Sequence, residues 1–140
     1  MNPLFLSRVH GGATHFPIAL VFAAALFDAL GFFLNERQAR RQFRAVGYWL
    51  ALLGALSSFG AVFSGLLLSN WKIAGSGLLL RHHLFVWPAF ALIVALGTWR
   101  SLVGQRTSRR AFGIYLTAMI VGCGLISIAG FFGGELLLGR

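Results

Sequence analysis

The sequence predicts an all-α integral membrane protein, an antiparallel four-helix bundle with both termini on the periplasmic side. Three observations lead to this prediction. The 140 residues are 58% hydrophobic and only 11% charged, whereas a soluble domain carries about 25% charged residues. The apolar residues fall into four runs, each near the roughly 20 residues that cross a bilayer. The arginines are concentrated in two of the connections between these runs.

The four spans are expected at about residues 14–34, 45–68, 78–99 and 111–137. Short connections favour antiparallel neighbours in a single bundle, so residues 1–140 are expected to form one domain. The first run is too long for the apolar part of a cleavable signal, and Asp28 interrupts it. It is therefore assigned to the first transmembrane helix.

The distribution of basic residues predicts the orientation. Eight of the 12 basic residues lie in the two connections that the spans place on one side. The positive-inside rule makes that side cytoplasmic, which places the chain in a bacterial inner membrane with the lipid bilayer as its surroundings. The same rule accounts for the net charge of +9. The sequence has no basic helical face and no aromatic-interleaved basic run, so nucleic acid is not an expected partner.

The unusual polar residues converge on the outer side of the predicted bundle. They are His10, His15, His82, His83 and Glu135. His10 is expected at headgroup level or in solvent, and a structural hydrogen bond between helices would also explain His15. His82 and His83 point about 100° apart on a helix, so at most one of them faces the interior. Glu135 is expected to pair with Arg81 or Arg140.

Two histidines on facing helices suit the axial ligation of a b-type haem. The candidate iron ligands are His15 with His83 or His82, and His10 is a further cofactor-binding candidate. Arg81 and Arg8 are candidates to pair with the haem propionates. A metal ion held by imidazoles and a carboxylate is the competing interpretation, although no HxxxH or HExxH spacing is present. Cys123 is the single cysteine, so covalent c-type haem is excluded within this chain.

Two further features leave alternatives open. Asp28 is expected to pair with an arginine of the inner connections, in preference to serving a proton path. Small residues at four-residue spacing, such as Ala61 and Gly65, indicate either packing within the bundle or contact between copies in a homo-oligomer. In addition, the segment starting at His15 resembles the segment starting at His83, which suggests two related helical pairs.

The chain resembles the bacterial membrane domain of unknown function 2231 over essentially its whole length. The resemblance rests on two histidines five residues apart followed by Phe-Pro-Ile, an acid late in the first helix, a histidine opening the third, and a closing Gly-Gly-Glu. The matching residues are His10, His15, Phe16, Pro17, Ile18, Asp28, His82 or His83, Gly133, Gly134 and Glu135. Gly11 departs from the family pattern, in which proline often follows the first histidine. Related domains occur fused to c-type cytochrome or Rieske modules, which implies electron transfer on the periplasmic side.

These observations predict a small membrane cytochrome b or the anchor of a redox complex, rather than a stand-alone enzyme. It would hold haem b and pass electrons between a periplasmic redox partner and the quinone pool, with quinone as a second candidate ligand. One alternative is a cofactor-free structural subunit of a larger membrane complex. The other is a membrane metal or proton site used in transport or sensing.

Overall fold

The structure, a computed structural model, describes residues 2–104 and 106–138. These residues form four helices: α1 (Pro3–Phe33), α2 (Arg37–Leu68), α3 (Gly77–Val103) and α4 (Arg109–Leu138). Each helix is long and apolar enough to cross a membrane. The all-α, four-span fold expected from the sequence is therefore confirmed over the described part of the chain.

Three helices, α1, α2 and α3, extend by several residues beyond the apolar runs that predicted them. α1 begins at Pro3 because the Asn2 side chain caps it, accepting a hydrogen bond of 2.9 Å from the Leu4 amide. His10 consequently lies inside a helix. α3 continues to Val103, so Arg100, expected in a connection, is also helical.

A capping carboxylate starts α2 well before its apolar part. Glu36 accepts hydrogen bonds of 2.9 and 2.8 Å from the amides of Gln38 and Ala39. An acidic side chain at a helix N-terminus satisfies amides that have no helical partner and complements the helix dipole. The arginines of the first predicted connection therefore project from the first two turns of α2 rather than from a loop.

The helices form a closed ring in which each packs against its sequence neighbours and α4 packs back against α1. α1 and α3 thus lie on one diagonal of the bundle, and α2 and α4 lie on the other. Glycine allows the closest approaches. A Cβ atom on Gly54 would lie 2.9 Å from Val21 Cγ2, and one on Gly97 would lie 2.6 Å from Ala55 Cβ. Small residues therefore serve packing within the bundle at these two points.

Several buried positions repeat between the two helical pairs. In α1 and α3 these positions match at a constant separation of 72 residues, and those in α2 and α4 also match at a single separation. The matched pairs are Val21 with Ile93, Ala24 with Leu96, Asp28 with Arg100, Ala51 with Met119, Ala55 with Cys123 and Ala61 with Ala129. This is the pattern of two parallel repeats related by an axis along the membrane normal.

The repeat pairs the histidines differently from the sequence comparison. At the separation that matches the buried residues, His10 corresponds to His82, and His15 corresponds to Trp87. The sequence comparison paired His15 with His83 because each starts an apolar segment that contains a nearby proline. The segments do not align in detail, since Pro17 follows His15 by two residues and Pro88 follows His83 by five. Burial is therefore the better guide to equivalence.

Candidate functional site

The four histidines lie towards one end of the bundle, which we call the histidine end. Two of them join neighbouring helices. His10 Nδ1 lies 2.9 Å from Ser64 Oγ, between α1 and α2. His82 Nδ1 donates to the Ala129 carbonyl at 2.8 Å, between α3 and α4. These equivalent bonds tie each helical pair together at the same level.

The hydrogen bonds define which ring nitrogen carries the proton. The Ser64 hydroxyl donates to the Ala61 carbonyl at 2.8 Å, so it accepts from His10 Nδ1. The other three histidines each donate from Nδ1 to a backbone carbonyl. In all four, Nδ1 therefore carries a proton, and Nε2 is the nitrogen that remains available to a ligand. This is the arrangement in which histidine ligates a metal, because the partner of Nδ1–H fixes the ring orientation.

His15 lies on the outside of the bundle. Its side chain is exposed and donates to the Gly11 carbonyl one turn earlier in its own helix. It shares this outward stripe of α1 with Phe16, Phe22 and Leu26, which are also exposed. The structure therefore does not bring His15 and His83 together inside one bundle.

His83 lies beside an apolar cleft. It is 8% exposed, and Nδ1 donates to the Ala74 carbonyl at 3.1 Å, in the connection before α3. The cleft has a volume of about 250 Å³ and is lined by Ile73, Ala74, Leu80, His83, Leu84, Trp87 and Pro88. Trp87 is fixed by its indole N–H, which donates to the Ile73 carbonyl at 2.8 Å. His83 is thus the histidine whose surroundings include an apolar surface open to a ligand.

The other candidate site residues at the histidine end do not form a cluster. Arg8 and Arg81 are exposed, and half-buried Glu135 makes no ion pair with any described residue. Arg140, one of its two expected partners, lies outside the described residues. Within residues 2–104 and 106–138, no three histidine, cysteine, aspartate or glutamate side chains converge so as to hold a metal ion.

A buried ion pair crosses the α1–α3 diagonal near the opposite end, which we call the arginine end. Arg100 Nη2 donates to Asp28 Oδ1 at 2.8 Å, and both side chains are 0% exposed. The Tyr115 hydroxyl donates to Asp28 Oδ2 at 3.0 Å. We call Asp28, Arg100 and Tyr115 the polar core. Arg100 is the arginine that pairs with Asp28, as the sequence analysis expected of an arginine near the inner connections.

Backbone carbonyls and aromatic rings also surround Arg100, although its buried Nε has no hydrogen-bond partner among the described residues. Its guanidinium donates to the Arg44 carbonyl at 3.0 Å and to the Gly104 carbonyl at 3.2 Å. Its central carbon lies 4.9 Å from the ring centroid of Phe112 and 5.2 Å from that of Tyr115. A buried cation is stable only when it is paired and hydrogen-bonded in this way. The polar core therefore joins α1, α3 and α4 and is expected to stabilise the packing of these helices.

An arginine-lined cavity adjoins the polar core. It has a volume of about 450 Å³ and is lined by Gly31, Phe32, Arg37, Arg40, Arg41, Arg44, Thr107, Arg109 and Phe112. We call it the arginine cavity. The sequence analysis used these arginines only to predict the orientation of the chain in the membrane. They gather around one cavity because they lie in the first turns of α2 and α4.

The tight contact between His10 and Gly65 yields a stability prediction. A Cβ atom on Gly65 would lie 2.9 Å from His10 Cε1, and one on Gly133 would lie 3.2 Å from His82 Cε1. We expect Gly65→Ala to lower the free energy of unfolding by about 1–3 kcal/mol, because the imidazole must move and weaken its bond to Ser64. Gly133→Ala should cost less.

Titration with sodium dodecyl sulfate in mixed micelles, followed by circular dichroism, measures this effect. Gly130→Ala is the matched control, because nothing lies within 4 Å of a Cβ atom built there. Equal stability of the Gly65→Ala and Gly130→Ala variants would show that the His10 contact does not constrain the bundle.

Comparison with known proteins gives one match. Residues 7–139 match a family described as "Predicted membrane protein (DUF2231)". No curated protein and no solved structure matches the chain. The family match spans all four helices of the bundle.

Proposed function

This chain belongs to the DUF2231 family of predicted membrane proteins, and from that premise we propose that it is an electron-transfer or anchoring subunit of a redox complex in the bacterial inner membrane. In this proposal His83 holds haem b at the periplasmic side, and electrons pass between a periplasmic partner and the quinone pool. Haem supplies a one-electron centre when it is bound.

The surroundings of His83 carry the proposal. An axial histidine needs an unprotonated Nε2 and a partner for Nδ1–H, and the Ala74 carbonyl provides that partner. Apolar and aromatic walls suit a porphyrin face, and the cleft offers Leu84, Trp87 and Pro88 beside the imidazole. Trp87 packs near His83, with 6.2 Å between ring centroids.

A haem held between two histidines inside one bundle does not fit this chain. His10 and His82 fill the space between their helices, and His15 faces outwards. The His83 cleft is open on one side, so a ligand bound there would be covered in part by another chain. This requirement favours a subunit of an assembly over a cytochrome that acts alone.

The reduced-minus-oxidised optical spectrum of the protein purified from a haem-replete host tests the proposal. We expect Soret and alpha bands in the wild type and their loss in His83→Gln. His15→Gln is the matched control, because it removes an imidazole from the outer face of the bundle and should keep the bands. Circular dichroism and gel filtration confirm that each variant is folded. Equal spectra for wild type and His83→Gln would refute ligation by His83.

A cofactor-free structural subunit is the second candidate function. The hydrogen bonds of His10 and His82 between helices favour it, since they give both imidazoles a role in packing. This candidate predicts a flat spectrum in folded wild-type protein purified with its natural partners. Retention of assembly in a His83→Gln variant would support it further.

A further inference from the structure

The arginine cavity has a strongly cationic lining. Five guanidinium groups contribute to it, those of Arg37, Arg40, Arg41, Arg44 and Arg109, and no acidic residue lines it. Among the described residues the one ion pair is Arg100 with Asp28. The single acid of the polar core is therefore already engaged, and the cavity arginines have no protein carboxylate within ion-pair distance in the described ranges.

Buried hydrogen-bond donors lie at the wall of this cavity. Arg44 Nε and Nη2 and the Thr107 hydroxyl are buried and make no hydrogen bond with the described residues. The position of Arg44 is fixed by packing, with its guanidinium carbon 3.9 Å from the centroid of the Phe112 ring. Gly31 leaves room for this side chain, because a Cβ atom there would lie 2.7 Å from Arg44 Cγ. Leaving such donors without a partner costs stability, so their retention indicates a ligand that accepts hydrogen bonds.

The dipole of α4 reinforces the positive charge. This helix begins at Arg109, so its N-terminal end lies at the cavity, whereas the N-terminus of α2 is already capped by the Glu36 carboxylate. The positive end of a helix dipole favours anions. The guanidinium fork also matches two oxygens of a phosphate, whereas a halide ion offers no pair of oxygens for such a bidentate contact.

We propose that the arginine cavity binds a phosphate-bearing anion, and that in the membrane this anion is the headgroup of an anionic phospholipid. The lining also has an apolar part, formed by Gly31 and Phe32 in the last turn of α1 and by Phe112 in the first turn of α4. An amphiphile with a phosphate head and acyl chains satisfies both parts of the cavity. Arg44 and Thr107 contact the phosphate, and the exposed arginines surround it. This inference does not depend on the role proposed for His83.

Binding of short-chain phosphatidylglycerol to the full chain in neutral detergent micelles tests the proposal, with phosphatidylcholine for comparison. Arg44→Gln is expected to raise the Kd for phosphatidylglycerol by at least about tenfold, since it removes charge-assisted hydrogen bonds. Thr107→Val keeps the charge and shape but removes the hydroxyl, and an increase of about threefold is expected. Without added lipid, Thr107→Val should melt no lower than the wild type, because the hydroxyl has no partner within the described chain.

Arg110→Gln is the matched control. Arg110 is exposed, adjoins Arg109 and does not line the cavity, so its removal changes the net charge equally. We expect a Kd within about twofold of the wild-type value, as for a screened surface charge. Equal weakening by Arg44→Gln and Arg110→Gln would overturn the site in favour of general surface attraction. If Arg44→Gln does not fold, Arg40→Gln takes its place under the same criterion.

Inorganic phosphate separates the two sources of the anion. If phosphatidylglycerol binds with the expected variant dependence, the lipid assignment holds. If phosphate raises the melting temperature with that same dependence while the lipid does not bind, the cavity takes a soluble phosphate compound and the lipid assignment is wrong. A chain that neither prefers phosphatidylglycerol to phosphatidylcholine nor responds to phosphate would refute the anion site altogether.

Discussion

Replacing Asp28 by asparagine is expected to lower the free energy of unfolding by about 3–5 kcal/mol. The substitution preserves the shape of the side chain but removes its charge. Arg100 is then left as a fully buried cation with only neutral acceptors around it. Unfolding by sodium dodecyl sulfate in mixed micelles, with circular dichroism as the readout, measures the loss.

Glu36→Gln is the control for this substitution. It removes an exposed carboxylate from the same end of the bundle and should cost no more than about 1 kcal/mol through a weaker helix cap. A double variant, Asp28→Leu with Arg100→Met, removes both charges and should recover most of the stability that Asp28→Asn loses. An Asp28→Asn variant within about 1 kcal/mol of the wild type would contradict the view that the ion pair locks the bundle.

The second large effect is expected at Gly47, where α2 passes beneath the Asp28 carboxylate. A Cβ atom built at Gly47 would lie 2.6 Å from Asp28 Cγ and 3.0 Å from Oδ2. Gly47→Ala must therefore either displace α2 or turn the carboxylate away from Arg100. We expect a loss of at least about 3 kcal/mol, because overpacking and a broken buried ion pair combine.

Gly60→Ala is the matched control on the same helix. Nothing lies within 4 Å of a Cβ atom at Gly60, and the residue is exposed. Alanine there should leave stability unchanged or raise it by up to about 1 kcal/mol, since it favours helix over glycine. Similar values for Gly47→Ala and Gly60→Ala, measured in the same detergent titration, would show that the carboxylate accommodates a methyl group without losing its partner.

The fold was predictable because the bilayer imposes a simple rule on the sequence. Every backbone polar group in lipid must be satisfied within the chain, so four long apolar runs leave little besides four helices. Asp28 was also predictable as a residue that needs a partner, since an isolated acid is costly at this depth. Hydropathy therefore gives the number of spans and marks the polar exceptions within them.

The partners of the polar residues were harder to predict. Arg100 follows an apolar run, as a loop residue would, and the sequence alone does not show that α3 continues for another turn. Tyr115 resembles an ordinary interfacial aromatic residue in the sequence. Both meet Asp28 only through the tertiary packing of α1, α3 and α4. The separation of 72 residues that relates Asp28 to Arg100 emerges from the buried positions of the structure, because the sequence comparison aligned the two halves at His15 and His83 instead.

The histidines illustrate a different limit. Their clustering at one end follows from span topology, but the direction of each side chain depends on helix phase. Because α1 begins at Pro3, His10 turns towards α2 and His15 turns outwards. Without the helix phase, the sequence analysis made His15 a leading iron ligand and placed His10 at headgroup level or in solvent.

The repeat also bears on how the two halves of the chain recognise each other. Its equivalent central residues, Asp28 and Arg100, carry opposite charges. Two copies of the first half joined through this position would oppose two carboxylates, and two copies of the second would oppose two guanidiniums, without a counter-charge in lipid. Only unlike halves neutralise each other. The ion pair thus favours packing of the first half against the second over packing of either half against a copy of itself, although equivalent positions are buried in both halves.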